Sequence, residues 1–355
     1  VDKGNLKASL TPVHSDAYLI AVPTPFKGDD HEPDLSYIHA VSKALAPLLQ
    51  KGDVVILEST SPVGATEKMV EWLAEERSDL TFPKYHEPDV EADIFVAYCP
   101  ERVLPGKVIE ELISNDRIIG GMTKESTKKA QEVYRIFVEG ELLETNSRTA
   151  EMAKLTENAS RDVSIAFANE LSIISDKLDI NVWELIELAN HHPRVNILQP
   201  GAGVGGHCIA VDPWFIVNQN PEEAKIIRAA REINDNKPNW VIEKINVEIN
   251  RLKSECVEKP TVALLGLAFK PDIDDLRESP AVNIAKKMLE NQSANILLVE
   301  PNIDKLPKAL ESGKLSSLDD AMQIADVVAI LVAHNEFKKE PLKNSVAVID
   351  AVGII

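Results

Sequence analysis

The chain has 355 residues, enough for two or three domains with buried cores, and its 57 acidic residues outnumber 38 basic residues. The formal charge of −19 argues against nucleic acid as a partner, because binding to a phosphate backbone needs a basic surface. Apolar residues at 44% and charged residues at 27% are typical of a globular protein and argue against disorder.

Cysteine usage and hydropathy narrow the class of protein further. Cys99, Cys208 and Cys256 are widely spaced and form no C-x-x-C pair, so we predict neither a disulfide framework nor a zinc ribbon and expect a reducing, cytoplasmic location. The longest apolar run, 327–333, is far shorter than the roughly 20 residues that a membrane helix needs, and we expect no membrane partner.

Apolar runs alternate with amphipathic helical patterns through the first part of the chain. The pattern predicts strands at 17–22, 54–57 and 93–98 and helices at 36–49, 64–76 and 124–137. Strand and helix in alternation predict a parallel sheet with helical crossovers. The strands are continuously apolar, which indicates that both faces of the sheet are covered.

The middle of the chain is predicted to be helical. Residues 146–178 contain no Pro or Gly and carry apolar residues at helical spacing, which predicts one long helix. A second helix, 182–189, should end before His192-Pro193, since the residue before a proline disfavours the helical region. A third should run from about 222 towards 252.

After residue 259 the strand and helix alternation returns. Strands are predicted at 261–265, 296–299, 326–333 and 345–350, and helices at 281–290 and 319–324. The fold class is therefore α/β, with a helical middle between two α/β units. We place the boundaries at 1–145, 146–255 and 256–355.

The densest candidate cluster is the glycine-rich segment 199–213. Its residues 201–206 satisfy G-x-G-x-x-G, but no strand precedes them and no helix follows, so we reject a dinucleotide fingerprint. We interpret the segment as a loop whose backbone approaches a ligand closely. Cys208 ends this loop with Asp212 four residues on, which makes it a candidate nucleophile, although a buried structural thiol is the commoner fate of a free cysteine.

A second candidate cluster lies on the long predicted helix. Lys154 and Asn158 are four residues apart and Arg161 is three further on, so all three project from one face. An amine, an amide and a guanidinium suit a developing oxyanion and an anionic substrate. A solvated helix face is the alternative.

Several loops follow predicted parallel strands, where ligands of open α/β sheets bind. These loops are 22–25, 58–64 and 100–106, with 269–271 and 277–280 in the second α/β unit. Ordinary tight turns are the alternative for each of them.

Seven ordered motifs resemble the UDP-glucose/GDP-mannose dehydrogenase family over essentially the whole chain. They are Val22-Pro23-Thr24-Pro25, 59–64, Pro100-Glu101-Arg102, 154–158, 192–196, 205–208 and Phe269-Lys270-Pro271. The resemblance implies two Rossmann-like parallel-sheet domains joined by a long-helix domain. It assigns NAD binding to 1–145, part of the substrate site and dimerisation to 146–255, and UDP-sugar binding to 256–355.

The resemblance also implies the reaction, an NAD-dependent four-electron oxidation of a sugar C6 alcohol to a carboxylate. By this analogy Cys208 captures the intermediate aldehyde as a thiohemiacetal, a thioester follows, and water releases the uronate. Lys154 and Asn158 would polarise the oxygen that gains charge, Asp212 would orient or deprotonate water, and Glu101 would be the acid/base.

Further contacts follow from the same resemblance. The implied substrate contacts are Arg102, Val103, Arg161, His192, Arg194, Gly205, Phe269 and Lys270. The implied cofactor contacts are Thr24, Thr60 and Arg277. The arginine equivalent to Arg194 reaches across a subunit interface in this family, which implies a homodimer or a higher homo-oligomer.

The substrate expected is a UDP-N-acetylhexosamine. His207, where UDP-glucose enzymes have Ser, together with 192–194 resembles that branch, and overall likeness favours the manno over the gluco epimer. UDP-N-acetylglucosamine and UDP-glucose remain alternatives. Either N-acetylhexosamine epimer implies a pathway for a surface polysaccharide.

The sequence also departs from the family. Relatives begin with a strand and a G-x-G-x-x-G loop, so we expect roughly 70 residues before Val1, about half of a 100–200-residue domain, and a truncated first sheet. A non-catalytic nucleotide-sugar-binding or oligomerisation fragment is the second hypothesis. The third is a metal site of His191, His192, His207 and Cys208, which we disfavour because adjacent histidines before a proline suit a shared tetrahedral site poorly. We expect no metal.

Overall fold

The computed structural model describes residues 6–28, 30–87, 90–103, 107–206, 208–339 and 346–355. The chain divides into two compact units. Unit 1 comprises 1–157 and 214–221, and unit 2 comprises 158–213 and 222–355. The first division falls inside the long helix that the sequence predicts.

Unit 1 contains a five-stranded sheet, a short hairpin and helices on both faces of the sheet. Its strands are β1 (Ala17–Ile20), β2 (Phe26–Lys27), β3 (Glu32–Pro33), β4 (Val54–Leu57), β5 (Phe95–Tyr98), β6 (Arg117–Gly121) and β7 (Leu142–Asn146). Its helices are α1 (Ser36–Leu45), α2 (Ala65–Glu76), α3 (Val108–Ser114) and α4 (Lys124–Tyr134). The sheet order is β1-β4-β5-β6-β7, and β2 pairs with β3.

The central strand β4 shows why these apolar runs are continuous. Val55 and Leu57 pack in the core that contains buried residues of α1 and α2, whereas Val54 and Ile56 pack in a second core that contains Tyr134 of α4. Because both faces of the sheet are covered by helices, successive residues of the strand are all buried.

One strand departs from the predicted parallel arrangement. β1, β4 and β5 are parallel, but β6 runs antiparallel to β5, and Tyr98 lies opposite Gly120. The sequence analysis missed β6 because its strand pattern is short and ends in two glycines. A Cβ at Gly120 would collide with the carbonyl of Asn146, and one at Gly121 with the backbone of Thr127, so close packing requires both glycines.

Unit 2 contains long helices and a second five-stranded sheet. The remaining helices are α5 (Ser147–Lys177), α6 (Val182–Asn190), α7 (Asp212–Gln219), α8 (Lys225–Ser254), α9 (Pro280–Asn291) and α10 (Leu318–Ile324), of which α5 and α7 run through the divisions between the units. The strands are β8 (Thr261–Leu265), β9 (Asn295–Val299), β10 (Lys314–Leu315), β11 (Val327–Ile330) and β12 (Ala347–Asp350). Short 3₁₀ helices are Ala46–Leu48 in unit 1 and Lys308–Leu310 and Phe337–Lys339 here.

The second sheet is entirely parallel, with the order β10-β9-β8-β11-β12. In sequence order this is 3-2-1-4-5, the arrangement of a Rossmann-type sheet. The prediction of a second Rossmann-like unit is therefore confirmed. The predicted ends of the long helices also agree with α5 and α8 to within about three residues, the usual uncertainty of such boundaries.

A buried polar network joins the long helices of unit 2 to the glycine-rich loop. Arg231 Nη1 of α8 donates to Asp162 Oδ1 of α5 at 2.6 Å, and Asn234 Nδ2 donates to the same oxygen at 2.8 Å. Asn169 Nδ2 donates to Asn234 Oδ1 at 2.8 Å, and Gly201 N donates to Asn169 Oδ1 at 2.9 Å. The loop is thus fixed to the helices through Asn169.

The glycines of this loop permit close contact with another part of unit 2. A Cβ at Gly205 would lie 2.5 Å from the carbonyl oxygen of Glu278 and 2.7 Å from Pro280 Cδ. Gly203 and Gly206 have φ values of 143° and 85°, in the region that favours glycine. At Gly205 the approaching surface is the protein itself, which adds a packing reason to the ligand reason inferred from sequence.

Alanine substitution at two of these glycines tests the packing. We expect Gly205→Ala to lower the free energy of unfolding by about 1–3 kcal/mol, because the loop must shift away from Glu278. Gly201→Ala is the control, since its Cβ would lie 3.8 Å from the nearest atom, the Gly203 carbonyl oxygen. Chemical denaturation measures both, and equal losses of stability would contradict the packing argument.

Lys237 is a buried amine on α8. Its side chain is almost fully buried, its Nζ donates to Ser172 Oγ, and the amine lies 3.7 Å from the centroid of the Trp240 ring. Burial lowers the pKa of Lys237 to about 7, against a small opposing effect of Asp176. Near neutral pH the folded protein therefore contains both the charged and the neutral amine.

This lowered pKa predicts a pH dependence of stability. Between pH 7 and about 10 the unfolded chain binds a proton at Lys237 that the folded chain does not, so the free energy of unfolding should rise with pH. We expect the stability of Lys237→Met relative to wild type to fall as pH increases from 7 to 9. Urea denaturation at several pH values measures it, and a difference independent of pH would refute the lowered pKa.

Candidate active site

The candidate nucleophile Cys208 opens a turn in unit 2. Its side chain is half-buried, and its carbonyl accepts hydrogen bonds from Val211 N at 3.0 Å and Asp212 N at 2.9 Å. Asp212 is buried and begins α7, and Asn158 Nδ2 of α5 donates to its carboxylate. The structure thus brings together a carboxylate and an amide that the sequence placed in two separate motifs, at the start of a helix four residues after Cys208.

A cation lies within electrostatic range of the thiol. Arg277 Nη2 pairs with Asp275 Oδ2 at 2.6 Å, and this hydrogen bond is the main cause of the raised pKa of Arg277. A smaller part of the same rise comes from the charge of Cys208. Arg277 is therefore a charged neighbour of Cys208, with Asp275 as its direct partner. Its predicted contact with NAD stays a prediction.

A pocket of about 260 Å³ lies at the carboxyl edge of the second sheet. Loops after β8, β11 and β12 and the glycine-rich loop form it, with Phe269, Pro280 and Val332 in its lining. Open α/β sheets bind ligands at this edge. Phe269 also lies against the glycine-rich loop, since a Cβ at Gly206 would be 3.1 Å from its ring. Lys270, next in sequence, is exposed.

Three other predicted substrate contacts of unit 2 are on its surface. Arg161, His192 and Arg194 are exposed, and Arg194 N donates to His192 Nδ1 at 3.3 Å. Within the described part of the chain, the guanidinium groups of Arg161 and Arg194 make no hydrogen bond or ion pair, so both are available to an anion.

The metal alternative includes His207, which lies outside the described residues. Among the residues that the structure describes, the side chains near enough to one another to share an ion are those of Asp272, His334 and Glu336. His191, His192 and Cys208, the members of the sequence hypothesis that the structure describes, do not belong to that group.

In unit 1 the predicted acid/base Glu101 is held by two neighbours. Arg117 Nη2 lies 3.3 Å from Glu101 Oε2, and Arg102 N donates to Glu101 Oε1 at 2.6 Å. The Arg102 side chain pairs with Glu157 Oε1 of α5 at 2.9 Å. Val103 is half-buried, and the last three residues of the predicted loop, 104–106, lie outside the described residues.

Sequence reasoning missed Arg117, although it is 2% exposed and charged. Its Nε and Nη1 have no hydrogen-bond partner among the described residues, and its guanidinium lies 5.2 Å from the centroid of Tyr134. Tyr134 donates to Glu58 Oε1 at 2.6 Å, and burial raises the pKa of Glu58. A lone arginine opening an apolar strand was the available signal.

Cys99 belongs to the same buried region and has a different character from Cys208. It is fully buried, and burial raises its pKa to about 11. The Cys99 thiol is therefore protonated at neutral pH and unreactive.

The predicted cofactor loops meet at the carboxyl edge of the first sheet. Ser59 Oγ donates to the Val22 carbonyl at 2.7 Å and accepts from Val22 N at 2.8 Å, which joins the loops after β1 and β4. Thr24 Oγ1 donates to the Thr60 carbonyl. This edge, with its hydroxyls, fits a polar ligand such as NAD, and Thr24 and Thr60 are the residues that would hold it.

The nearby N-terminus of α2 is already occupied by a side chain. Glu151 of α5 accepts hydrogen bonds from Gly64 N at 2.7 Å and Thr66 N at 2.8 Å, and burial raises its pKa to about 7. These N–H groups therefore do not serve a phosphate. Sequence reasoning missed Glu151, whose position three residues before Lys154 on one helix was a usable signal.

The described residues include no helix with the length and apolar character needed to cross a bilayer.

Comparison with known proteins finds matches in three successive segments of the chain. Residues 1–138 match the NAD binding domain of the UDP-glucose/GDP-mannose dehydrogenase family, 148–236 its central domain and 263–355 its UDP binding domain. A UDP-N-acetyl-D-mannosamine dehydrogenase of Campylobacter jejuni is 63% identical over 340 residues, which cover 95% of this chain and 82% of that protein. Its namesake in Escherichia coli K12 is 60% identical over 342 residues, covering 95% and 81%.

A solved structure is similar as well. The UDP-D-ManNAc dehydrogenase of Pyrococcus horikoshii superposes with a TM-score of 0.84 at 36% identity, over 97% of this chain and 78% of that chain. The predicted fold class, enzyme class and cofactor NAD are confirmed by these matches. The chain belongs to the UDP-glucose/GDP-mannose dehydrogenase family.

Proposed function

We propose that this chain oxidises C6 of UDP-N-acetyl-D-mannosamine to the carboxylate, giving UDP-N-acetyl-D-mannosaminuronate. The observation that carries the proposal is the half-buried thiol of Cys208, on a loop packed against the carboxyl-edge pocket of the UDP binding domain. The names of the Campylobacter and Escherichia relatives support the choice of sugar. A cytoplasmic location is part of the proposal, supported by the wide spacing of the three cysteines and the lack of a C-x-x-C pair.

NAD, when bound, supplies the acceptor for the hydride lost in each of two oxidations. Between them, the Cys208 thiolate attacks the C6 aldehyde, a C–S bond forms, and the carbonyl oxygen takes a proton to give a thiohemiacetal. The second oxidation leaves a thioester. Water then adds to its carbonyl, the C–S bond breaks, and the thiol is restored as the carboxylate leaves.

The other assigned residues serve the charges in this sequence. The Asn158 amide and the Lys154 amine donate to the oxygen that becomes negative, as an oxyanion hole does. Asp212, already bonded to Asn158, accepts the proton of the attacking water. We assign to Glu101 the proton transfers at the C6 hydroxyl, with Arg117 keeping a positive charge beside it.

We assign each substrate-binding residue to the part of the UDP-sugar that its side chain can contact. Phe269 lines the second-sheet pocket and offers a ring to the uracil, and Lys270 offers a cation to the diphosphate. Arg161, His192 and Arg194 carry donors for the diphosphate and sugar, and Gly205 is assigned to the same site as a backbone contact, since it packs against Glu278 and Pro280 next to Phe269. Arg102 and Val103 are assigned to the sugar. The segments 1–145, 146–255 and 256–355 serve cofactor binding, substrate binding with dimerisation, and UDP-sugar binding.

The yield of NADH tests the reaction. We expect two NADH for each UDP-N-acetylmannosamine consumed, and a loss of kcat on the order of 10³-fold or more in Cys208→Ala. Cys256→Ala is the matched control, because that thiol is exposed and outside the site. NADH is followed by absorbance and the sugar nucleotide by chromatography. One NADH per sugar, or full activity without Cys208, would refute the mechanism.

We also propose a homodimer formed through one side of α5. Phe167 and Ile174 are 53% and 44% exposed, and Leu178 directly after the helix is 62% exposed. With the partly buried Val163 and Leu171 they form a stripe at helical spacing. Exposed apolar surface of this kind marks an interface, and a second copy of the chain is the occupant we assign, with Arg194 reaching into the neighbouring site.

A charge placed in this stripe tests the dimer. We expect Phe167→Asp to convert the dimer to monomers, because the carboxylate would be buried without a partner. Ile324→Asp on α10 is the control, since Ile324 is 56% exposed and outside the stripe. Size-exclusion chromatography with light scattering measures the mass. A Phe167→Asp variant that keeps the wild-type mass of a dimer would exclude this face.

A further inference from the structure

Two buried ionisable residues hold the loop that carries Phe269 and Lys270. The loop follows β8 and lines the 260 Å³ pocket. Glu300 directly follows the neighbouring strand β9, and Glu300 and His334 are 4% and 0% exposed. His334 Nε2 and Glu300 Oε2 are 3.0 Å apart. Neither residue belongs to the mechanism described above.

Glu300 holds the near end of the loop. Its Oε2 accepts hydrogen bonds from Leu267 N at 2.7 Å and Ala268 N at 3.0 Å, and its Oε1 accepts from Asn302 N at 3.1 Å. Burial alone would raise the pKa of Glu300, but the hydrogen bonds from His334 and these backbone groups outweigh it and lower the pKa to about 2. The carboxylate is therefore charged, and hydrogen bonds to a charged acceptor are the strong ones.

His334 holds the far end. Its Nδ1 accepts a hydrogen bond from Asp272 N at 2.9 Å, so the proton of the neutral ring is on Nε2 and is donated to Glu300. Asp272 has a φ of 61°, unusual for a residue with a side chain, and its carboxylate accepts from Asn335 N at 3.0 Å and Asn335 Nδ2 at 2.6 Å. Residues 269–271 therefore lie between two anchored backbone segments, Leu267-Ala268 and Asp272.

The place of Glu300 in the fold makes this use of a carboxylate notable. In a dinucleotide-binding Rossmann unit, the acidic residue after the second strand accepts hydrogen bonds from a ribose. Glu300 follows the second strand in chain order of its sheet, yet it is buried, and its oxygens accept from the protein's own N–H groups. The Glu300 carboxylate therefore binds the loop at the position where a dinucleotide-binding unit binds the ribose.

We propose that Glu300 and His334 are positioning residues for the UDP site, which hold residues 267–272 in the shape that presents Phe269 and Lys270 to the nucleotide. This inference rests on the proposed function, because it requires UDP to bind at the second sheet. The pair acts on the affinity for the nucleotide and leaves the chemistry at Cys208 unchanged.

The test compares nucleotide affinity in two variants with a control on the same sheet. Glu300→Gln replaces one acceptor oxygen with an amide that cannot accept, and His334→Leu removes the acceptor of Asp272 N. Asp326→Asn is the control, because Asp326 accepts from Thr261 N at 2.8 Å at the opposite, amino edge of the sheet. Calorimetry gives the Kd for UDP, steady-state kinetics give KM and kcat, and thermal melting reports folding.

We expect each variant of the pair to raise the Kd for UDP and the KM for the UDP-sugar about tenfold, with kcat within about twofold of wild type. Asp326→Asn should leave both constants unchanged even where it lowers the melting temperature. His334→Leu carries the test if Glu300→Gln does not fold.

Two results would overturn the inference and differ from each other. Wild-type affinity for UDP in folded variants, with a melting temperature as low as that of the control, would show that the pair only stabilises the domain, while the proposed function stands. A wild-type chain that does not bind UDP would remove the proposed site, and the inference with it.

Discussion

The site depends on one close approach between backbone segments in unit 2. Gly205 packs where a side chain would overlap the Glu278 carbonyl and Pro280, and Gly206 faces the ring of Phe269. Since Asn169 holds the other end of the loop at Gly201, the segment 201–206 between these contacts has little freedom. The proposed nucleophile Cys208 follows a segment whose glycines permit this close packing, and glycine loses more conformational freedom on folding than other residues do.

Buried carboxylates recur as anchors for loops at the carboxyl edges of both sheets. Glu151 accepts from the backbone at the start of α2 in unit 1, and Glu300 accepts from the backbone after β8 in unit 2. Their electrostatic states differ: burial raises the pKa of Glu151 to about 7, whereas the hydrogen bonds of Glu300 lower its pKa to about 2. His334 is the added donor that keeps the second carboxylate charged. Removing either partner of such a buried set leaves polar groups unsatisfied, which costs more than the contact itself contributes.

Sequence patterns predicted the structural features that depend on residues close together in the chain, namely helices, strands and short motifs. The helical spacing of apolar residues located α5 and α8, and the runs around Val54 and Thr261 located strands of both sheets. Cys208, Asp212 and Asn158 could be proposed from the sequence because each sits in a short motif, and their roles stay predictions. The antiparallel β6, the Arg117 ion pair and the Glu300 and His334 pair depend on contacts between residues 16 to 34 positions apart, which periodicity does not encode. The buried charges Asp162 and Arg231 on α5 and α8 were unforeseen for the same reason.

The Glu300 carboxylate, which contacts its own loop, also affects how this domain discriminates between NAD and a UDP-sugar. NAD and a UDP-sugar both contain a ribose attached to a diphosphate, and both suit the carboxyl edge of a Rossmann-type sheet. A sheet whose acidic residue is committed to its own loop does not offer that carboxylate to the adenosine ribose, so it loses one contact that would favour the dinucleotide. The domain then favours the UDP-sugar over NAD because NAD lacks the hydrogen bond from its ribose to this carboxylate. This form of discrimination requires no added contact with the UDP-sugar.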